Sequence, residues 1–254
     1  MTACRAILCL AIACAAVATP FASGASGPFY FAPPPTGECT NVANCQASVG
    51  PWVVVPANGE ASFLLSCPSR HGYIVAGTDA RASSGSVRVW FDGWLGAPGG
   101  LPPTTAPGGA ALLFHALSMN GKPASFQPIL GCVSLIQKTK ITSISIRLST
   151  ATPGVPPASP IDFHSQTIVI GFASLDRIVL RCPSNETLVG SWHSFAFQTL
   201  GPPPSLYLDA ARITTSIVGR RVYGHILPQP SLLVPTAPNS IAQIGAMCEA
   251  SSPS

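Results

Sequence analysis

The segment Trp90-Phe91-Asp92-Gly93-Trp94 brings two indoles and a carboxylate together, with the guanidinium of Arg88 just upstream. An indole with an open face stacks on the apolar face of a sugar ring, while a nearby carboxylate or guanidinium bonds the hydroxyls. If Val87 and Val89 point inwards on a half-buried strand, Phe91 continues inwards and Trp90 points outwards. The plainer alternative is that Gly93 breaks the alternation and both tryptophans cover the edge of the core. Trp52 and Trp192 are expected in packing, within the core or between domains.

Cysteine supplies the second constellation. Cys67-Pro68-Ser69 recurs as Cys182-Pro183-Ser184, and each is followed after nearly the same interval by another cysteine, Cys132 or Cys248. Cys39 and Cys45 form a local pair upstream. With Cys4, Cys9 and Cys14 assigned to a leader, six cysteines remain, an even set that suits an oxidised framework. Six cysteines permit fifteen connectivities. The repeat singles out Cys67–Cys132, Cys182–Cys248 and Cys39–Cys45. A bridge closing a loop of roughly 65 residues stabilises by about 4 kcal/mol through the entropy it removes from the unfolded chain.

Other chemistry leaves little trace. There is no Gly-x-Ser-x-Gly elbow and no His-Glu-x-x-His metal motif. A glycosidase needs two carboxylates facing each other across a cleft; the nine acidic residues are scattered, and aligned positions in the two copies preserve no pair of them. His71, His115, His164, His193 and His225 fall at unrelated positions in the two copies. The expectation is no catalytic residue, no metal site and no cofactor.

Only 9% of residues are charged and the formal net charge is +4, against the dense basic stripe of a nucleic-acid binder. Arg5, the apolar run 6–18 and the small residues Ala16-Val17-Ala18 read as a signal peptide over residues 1–18, with cleavage as late as 27. That run, like every later one, falls short of the roughly 20 residues that span a bilayer. Ala11-Ile12-Ala13-Cys14 loosely resembles a lipobox with alanine in place of leucine, so lipid anchoring at Cys14 is the minor alternative to release.

An offset of 115 residues aligns the two Cys-Pro-Ser sites and more besides. Phe29-Tyr30-Phe31 falls on Ile144-Ser145-Ile146, Val53-Val54-Val55 on Ile168-Val169-Ile170, and Phe63-Leu64-Leu65 on Ile178-Val179-Leu180. Short β-branched and aromatic runs bounded by Gly, Pro, Ser and Asn predict strands, and prolines interrupt most windows of helical length. About seven strands per copy suit a sandwich. The expected fold is all-β: two tandem antiparallel β-sandwich domains over 28–137 and 138–254, each closed by an intradomain disulfide. The proline-rich stretch 97–109 is expected to be a long extended loop.

One order of features occurs in both copies: strand, Cys-Pro, turn, strand, Gly, then an apolar-Cys closure. It is carried by Cys67-Pro68, Gly77 and Leu130-Gly131-Cys132, and by Cys182-Pro183, Gly190 and Ala246-Met247-Cys248. This order resembles the tandem Cys-Pro…Cys β-sandwich repeats of poorly characterised secreted bacterial proteins. The resemblance implies an extracellular sandwich and lends no reaction. The expected role is that of a secreted or cell-surface, non-enzymatic protein that binds or builds the envelope. Its expected partner is an envelope component, a polysaccharide or an extracellular protein. One rival is a carbohydrate-binding module using Trp90 and Trp94 with Asp92 and Arg88. The other is an extracellular hydrolase with its site between the domains.

Overall fold

The computed structural model describes residues 45–68, 73–92, 110–134, 145–146, 151–153, 161–170, 177–208, 211–228 and 238–250. The leader with Cys14, Phe29-Tyr30-Phe31, Cys39, Trp94 and the stretch 97–109 lie outside these residues. The first copy supplies β1 (Cys45–Val49), β2 (Trp52–Val55), β3 (Glu60–Ser66), β4 (Tyr73–Ala82), β5 (Val87–Asp92), β6 (Ala111–Ser118) and β7 (Ala124–Ser134). Two short strands follow, β8 (Ser145–Ile146) and β9 (Ala151–Pro153). The second copy supplies β10 (Ile161–Val169), β11 (Arg177–Arg181), β12 (Glu186–Phe197), β13 (Ala211–Val218), β14 (Arg221–Pro228) and β15 (Ser240–Ala250). One helical turn, α1 (Ser205–Leu208), lies between β12 and β13. Among the described residues no helix is long and apolar enough to cross a membrane.

The repeat is real at the level of hydrogen-bond register. In the first copy β4 pairs with β7, and the ladder slips between Val75 and Gly77, opposite Cys132 and Gly131. In the second copy β12 pairs with β15 and slips between Leu188 and Gly190, opposite Cys248 and Met247. Each slip is a β-bulge of one extra residue, which bends the strand and sharpens its twist beside the disulfide. The bridges Cys67–Cys132 and Cys182–Cys248 both form, with Cα–Cα separations of 5.7 and 5.8 Å. Cys45 is also disulfide-bonded; its expected partner Cys39 lies outside the described residues. Such bonds persist in an oxidising compartment.

Two tandem sandwiches are expected from the repeat; the structure joins the copies edge to edge. A central sheet runs β10-β15-β12-β2-β7-β4-β8, with β1 also on β7. The seam is the antiparallel pairing of β12 with β2, Ala196↔Val53 and Phe197↔Trp52. A front sheet β3-β6-β5-β9 and a rear sheet β11-β14-β13 complete the two sandwiches. They cover opposite faces of the central sheet, because adjacent residues of β15 point to opposite sides. Ile241 packs into the core shared with Phe63, Phe91 and Phe114 of the front sheet. Ala242, Ile244, Ala246 and Cys248 pack against Ile178, Val222 and Ile226 of the rear sheet.

This arrangement explains the unbroken apolar run Trp52-Val53-Val54-Val55. All of β2 is buried, since a strand covered on both faces reads as continuous rather than alternating. Val53 and Val55 face the front sheet, and Val54 meets Phe195 and Phe197 on the other side.

A polar clamp holds the copies across the seam. The Gln243 side chain, 2% exposed, treats the edge of β3 as a strand would. Its Oε1 accepts from the Leu64 backbone N–H at 2.7 Å. Its Nε2 donates to the Leu64 carbonyl at 3.0 Å. Oε1 also accepts from Trp192 Nε1 at 3.1 Å, and Trp192 packs with Leu64 and Leu113. The indole lies over Gly245, where any Cβ would overlap its six-membered ring. Trp192 is therefore packing between the copies, as its sequence context suggests, and Trp52 is core at 4% exposure.

Candidate functional site

Alternation along β5 sends Val87, Val89 and Phe91 into the core and leaves Arg88, Trp90 and Asp92 on the outer face of the front sheet. Arg88 is exposed, while Trp90 and Asp92 are half-buried. The register across the sheet then adds residues that the sequence did not flag. His115 of β6 lies directly opposite Ser62 of β3 on one side and Trp90 of β5 on the other. The imidazole and indole stack, with centroids 5.4 Å apart and planes 15° from parallel.

The three polar groups form a chain. Ser62 Oγ lies 2.8 Å from His115 Nδ1, and His115 Nε2 lies 3.1 Å from Asp92 Oδ2. An ionised carboxylate carries no proton, so in the neutral ring Nε2–H donates to Asp92 and Nδ1 accepts the Ser62 hydroxyl proton. The next row, Leu64, Leu113 and Asp92, abuts the seam under Trp192. The site thus sits where the front sheet meets the second copy. Trp94, proposed from the sequence as a partner for Trp90, lies outside the described residues.

The second copy shows what the sequence alignment concealed. Phe63 and Ile178 are equivalent, and they pair with Phe114 and Gly224. His115 and His225 are therefore equivalent, each at the middle of the central strand of its outer sheet, which corrects the expectation that the histidines are unrelated. Constant spacing fails because residues 93–110 separate β5 from β6, whereas Gly219-Arg220 alone turn β13 into β14. Around His225 the row reads Arg177 and Thr214 in place of Ser62 and Trp90. The polar chain is not duplicated there.

Two other histidines have defined surroundings. His164 Nε2 lies 3.3 Å from Glu186 Oε2 beside Cys248, a grouping with the spacing of metal ligands. The Cys248 sulfur is bonded to Cys182, so it offers no thiolate, and a histidine–carboxylate pair remains. His193 lines a cavity of about 480 Å³ between the copies, with Val54, Pro56, Phe195, Ile213 and Thr214. Its Nδ1 lies 3.2 Å from Thr215 Oγ1.

His193 keeps an exposed edge, and partial desolvation of its ring against that cavity wall lowers its pKa from the ordinary value of 6.5. The unfolded chain therefore takes up the proton more readily than the folded one. The ring's contribution to stability is whole above pH 6.5 and is lost as the pH falls towards the depressed native value. His193→Gln is expected to flatten the acid-side fall in the urea midpoint, and an unaltered pH profile would remove the assignment.

Fold and site together define a class: a sandwich-like all-β chain of mainly antiparallel sheets, bridged by Cys67–Cys132 and Cys182–Cys248, with a polar-aromatic outer face on its front sheet. The chain matches no family model, no curated protein and no solved structure.

Proposed function

We propose that this chain is an exported, non-enzymatic binding protein acting outside the cell or at its envelope, and that the outer face of the front sheet holds a hydroxyl-rich ligand such as a polysaccharide. The observation that carries this reading is the convergence of exposed Arg88 with half-buried Trp90, Asp92 and His115 on the outer face of the front sheet. Stacking fixes the indole against the imidazole, so the pair presents a rigid aromatic ledge at little conformational cost. Asp92 and Arg88 flank it with an acceptor and a set of donors. The bonded pairs Cys67–Cys132 and Cys182–Cys248 support export, and the N-terminal leader motif agrees.

The test is retention of the oxidised protein on insoluble polysaccharides and intact envelopes. Trp90→Ala is expected to weaken retention about tenfold, the worth of one aromatic stacking contact, with an unchanged far-UV circular dichroism spectrum. Equal retention by the variant would sink the reading.

The Ser62–His115–Asp92 chain favours a second reading, acyl transfer by an activated serine. Against it, the imidazole presents Nδ1 rather than Nε2 to the serine, and none of the three residues lines the cavity between the copies. A fluorophosphonate probe is expected to leave Ser62 unlabelled. Labelling abolished by Ser62→Ala would replace the binding reading with the hydrolytic one.

A further inference from the structure

The two outer sheets carry different side chains at equivalent positions. Cys67 and Cys182 anchor the equivalence of β3 with β11, so Ser62 corresponds to Arg177 and Ser66 to Arg181. The registers extend it to the middle strands, where Ser66 pairs with Ala111 and Arg181 with Arg221. Three neutral positions of the front sheet are therefore arginines in the rear sheet. The fold does not call for them, because β3 and β6 pair in the same register with serine and alanine there.

Alternation puts all three on the outer face. Ile178, Val222 and Ile226 fill the rear core, so Arg177 and Arg181 of β11, and Arg221 and Tyr223 of β14, point away from it. The three arginines are exposed. Arg181 and Arg221 sit directly opposite each other, where like charges repel across the ladder. Arg177 lies over the Tyr223 ring, its guanidinium carbon 4.8 Å from the centroid. Arg220, in the turn between β13 and β14, adds a fourth cation, and its Nε and Nη2 are buried without a hydrogen-bond partner. Among the described residues none of the four forms an ion pair. Repulsion of this kind is relieved by a partner that places anionic oxygens between the guanidinium groups.

Aliphatic side chains on the same face narrow the choice of partner. Val179 lies between Arg177 and Arg181 on β11, Val218 lies opposite Arg221, and Leu227 continues the outer row of β14. They are 44%, 62% and 47% exposed. An acidic polysaccharide would bond the guanidinium groups but set its hydroxyls against these side chains. A lipid surface suits both kinds of group. Headgroup phosphates take the arginines, and the acyl boundary beneath takes the aliphatic side chains and the Tyr223 ring. All of them project from one side of one sheet, as a flat interface requires.

We propose that the outer face of the rear sheet docks on an anionic lipid surface, with Arg177, Arg181 and Arg221 at the phosphates and Val179, Val218 and Leu227 at the acyl boundary. The face carrying Trp90 lies on the opposite side of the central sheet, so the two assignments stand separately.

The test is co-sedimentation of the oxidised protein with vesicles of phosphatidylglycerol and phosphatidylcholine, against vesicles of phosphatidylcholine alone. Binding is expected only where phosphatidylglycerol is present. Arg181→Ser combined with Arg221→Ala installs the residues that β3 and β6 carry at the same positions, and its far-UV circular dichroism spectrum is expected to match wild type. One arginine at an anionic surface is worth about fivefold in partitioning, so this variant is expected to bind roughly 25-fold more weakly. Val179→Ser is expected to weaken binding about threefold through lost apolar contact. Lys122→Gln removes an exposed cation from the turn between β6 and β7 and is expected to leave binding unchanged. Wild-type affinity in the arginine variant or in Val179→Ser would overturn the proposal. So would equal binding to phosphatidylcholine alone, or a loss of about fivefold from Lys122→Gln, the mark of net charge acting without a defined face. Retention on dextran sulfate without vesicle binding would assign the face to an acidic polysaccharide instead.

Discussion

Gln243→Ala is expected to lower the unfolding free energy by about 4 kcal/mol, more than any single surface change in this chain. The cost does not come from the glutamine itself. Its removal strips partners from the Leu64 N–H, the Leu64 carbonyl and Trp192 Nε1 together, and each buried group left unpaired costs about 1–3 kcal/mol. Leu64 is 8% exposed and Trp192 5%, so water has little access to replace the lost bonds. Gln243→Glu separates the contributions, because a carboxylate still accepts from Leu64 and Trp192 but has no proton for the Leu64 carbonyl. It is expected to fall between wild type and alanine at neutral pH. Urea unfolding with an unchanged m-value measures the loss. A cost below about 1 kcal/mol would mean that the seam is held by apolar packing alone.

The second large effect follows from the bridges. Replacing Cys67 and Cys132 together by alanine is expected to cost about 4 kcal/mol from loop entropy. A further loss follows because both sulfurs are buried, at 3% and 0% exposure, in the first core. The same replacement at Cys182 and Cys248 is expected to cost a similar amount, since the closed loops span 65 and 66 residues. Because β12 is hydrogen-bonded to β2, and Ala196 and Ile241 of the second copy sit in the first core, either change is expected to shift one shared unfolding transition. Two separated calorimetric transitions, only one of them displaced, would show that the copies unfold independently.

Much of the local structure was legible. The bridges Cys67–Cys132 and Cys182–Cys248 could be read from the recurrence of Cys-Pro-Ser, because the longer β5–β6 connection of the first copy is nearly offset by the longer β12–β13 connection of the second, which leaves separations of 65 and 66 residues. The outward placement of Trp90 and inward placement of Phe91 followed from two-residue alternation, which needs no knowledge of neighbouring strands. The candidate face was only half legible for the complementary reason. Ser62, Asp92 and His115 belong to three different strands, and their meeting depends on the register of β3 and β5 against β6. Nothing in their spacing announces it. The equivalence of His115 and His225 was hidden by insertions in different connections of the two copies.

By itself, then, the sequence determined an all-β chain written twice, the oxidised cysteine pairs and the faces of single strands. These properties rest on interactions that repeat at fixed short intervals or on a covalent bond whose two ends share one motif. Only the tertiary structure decided that the copies share a sheet through Ala196↔Val53, that their outer sheets lie on opposite faces, and that Gln243 bonds Leu64 across 179 residues. An edge strand presents the same row of N–H and C=O groups whatever its side chains are. Which edge it meets is settled by the packing of Val54, Phe195 and Phe197 around the seam, a choice that no local pattern records.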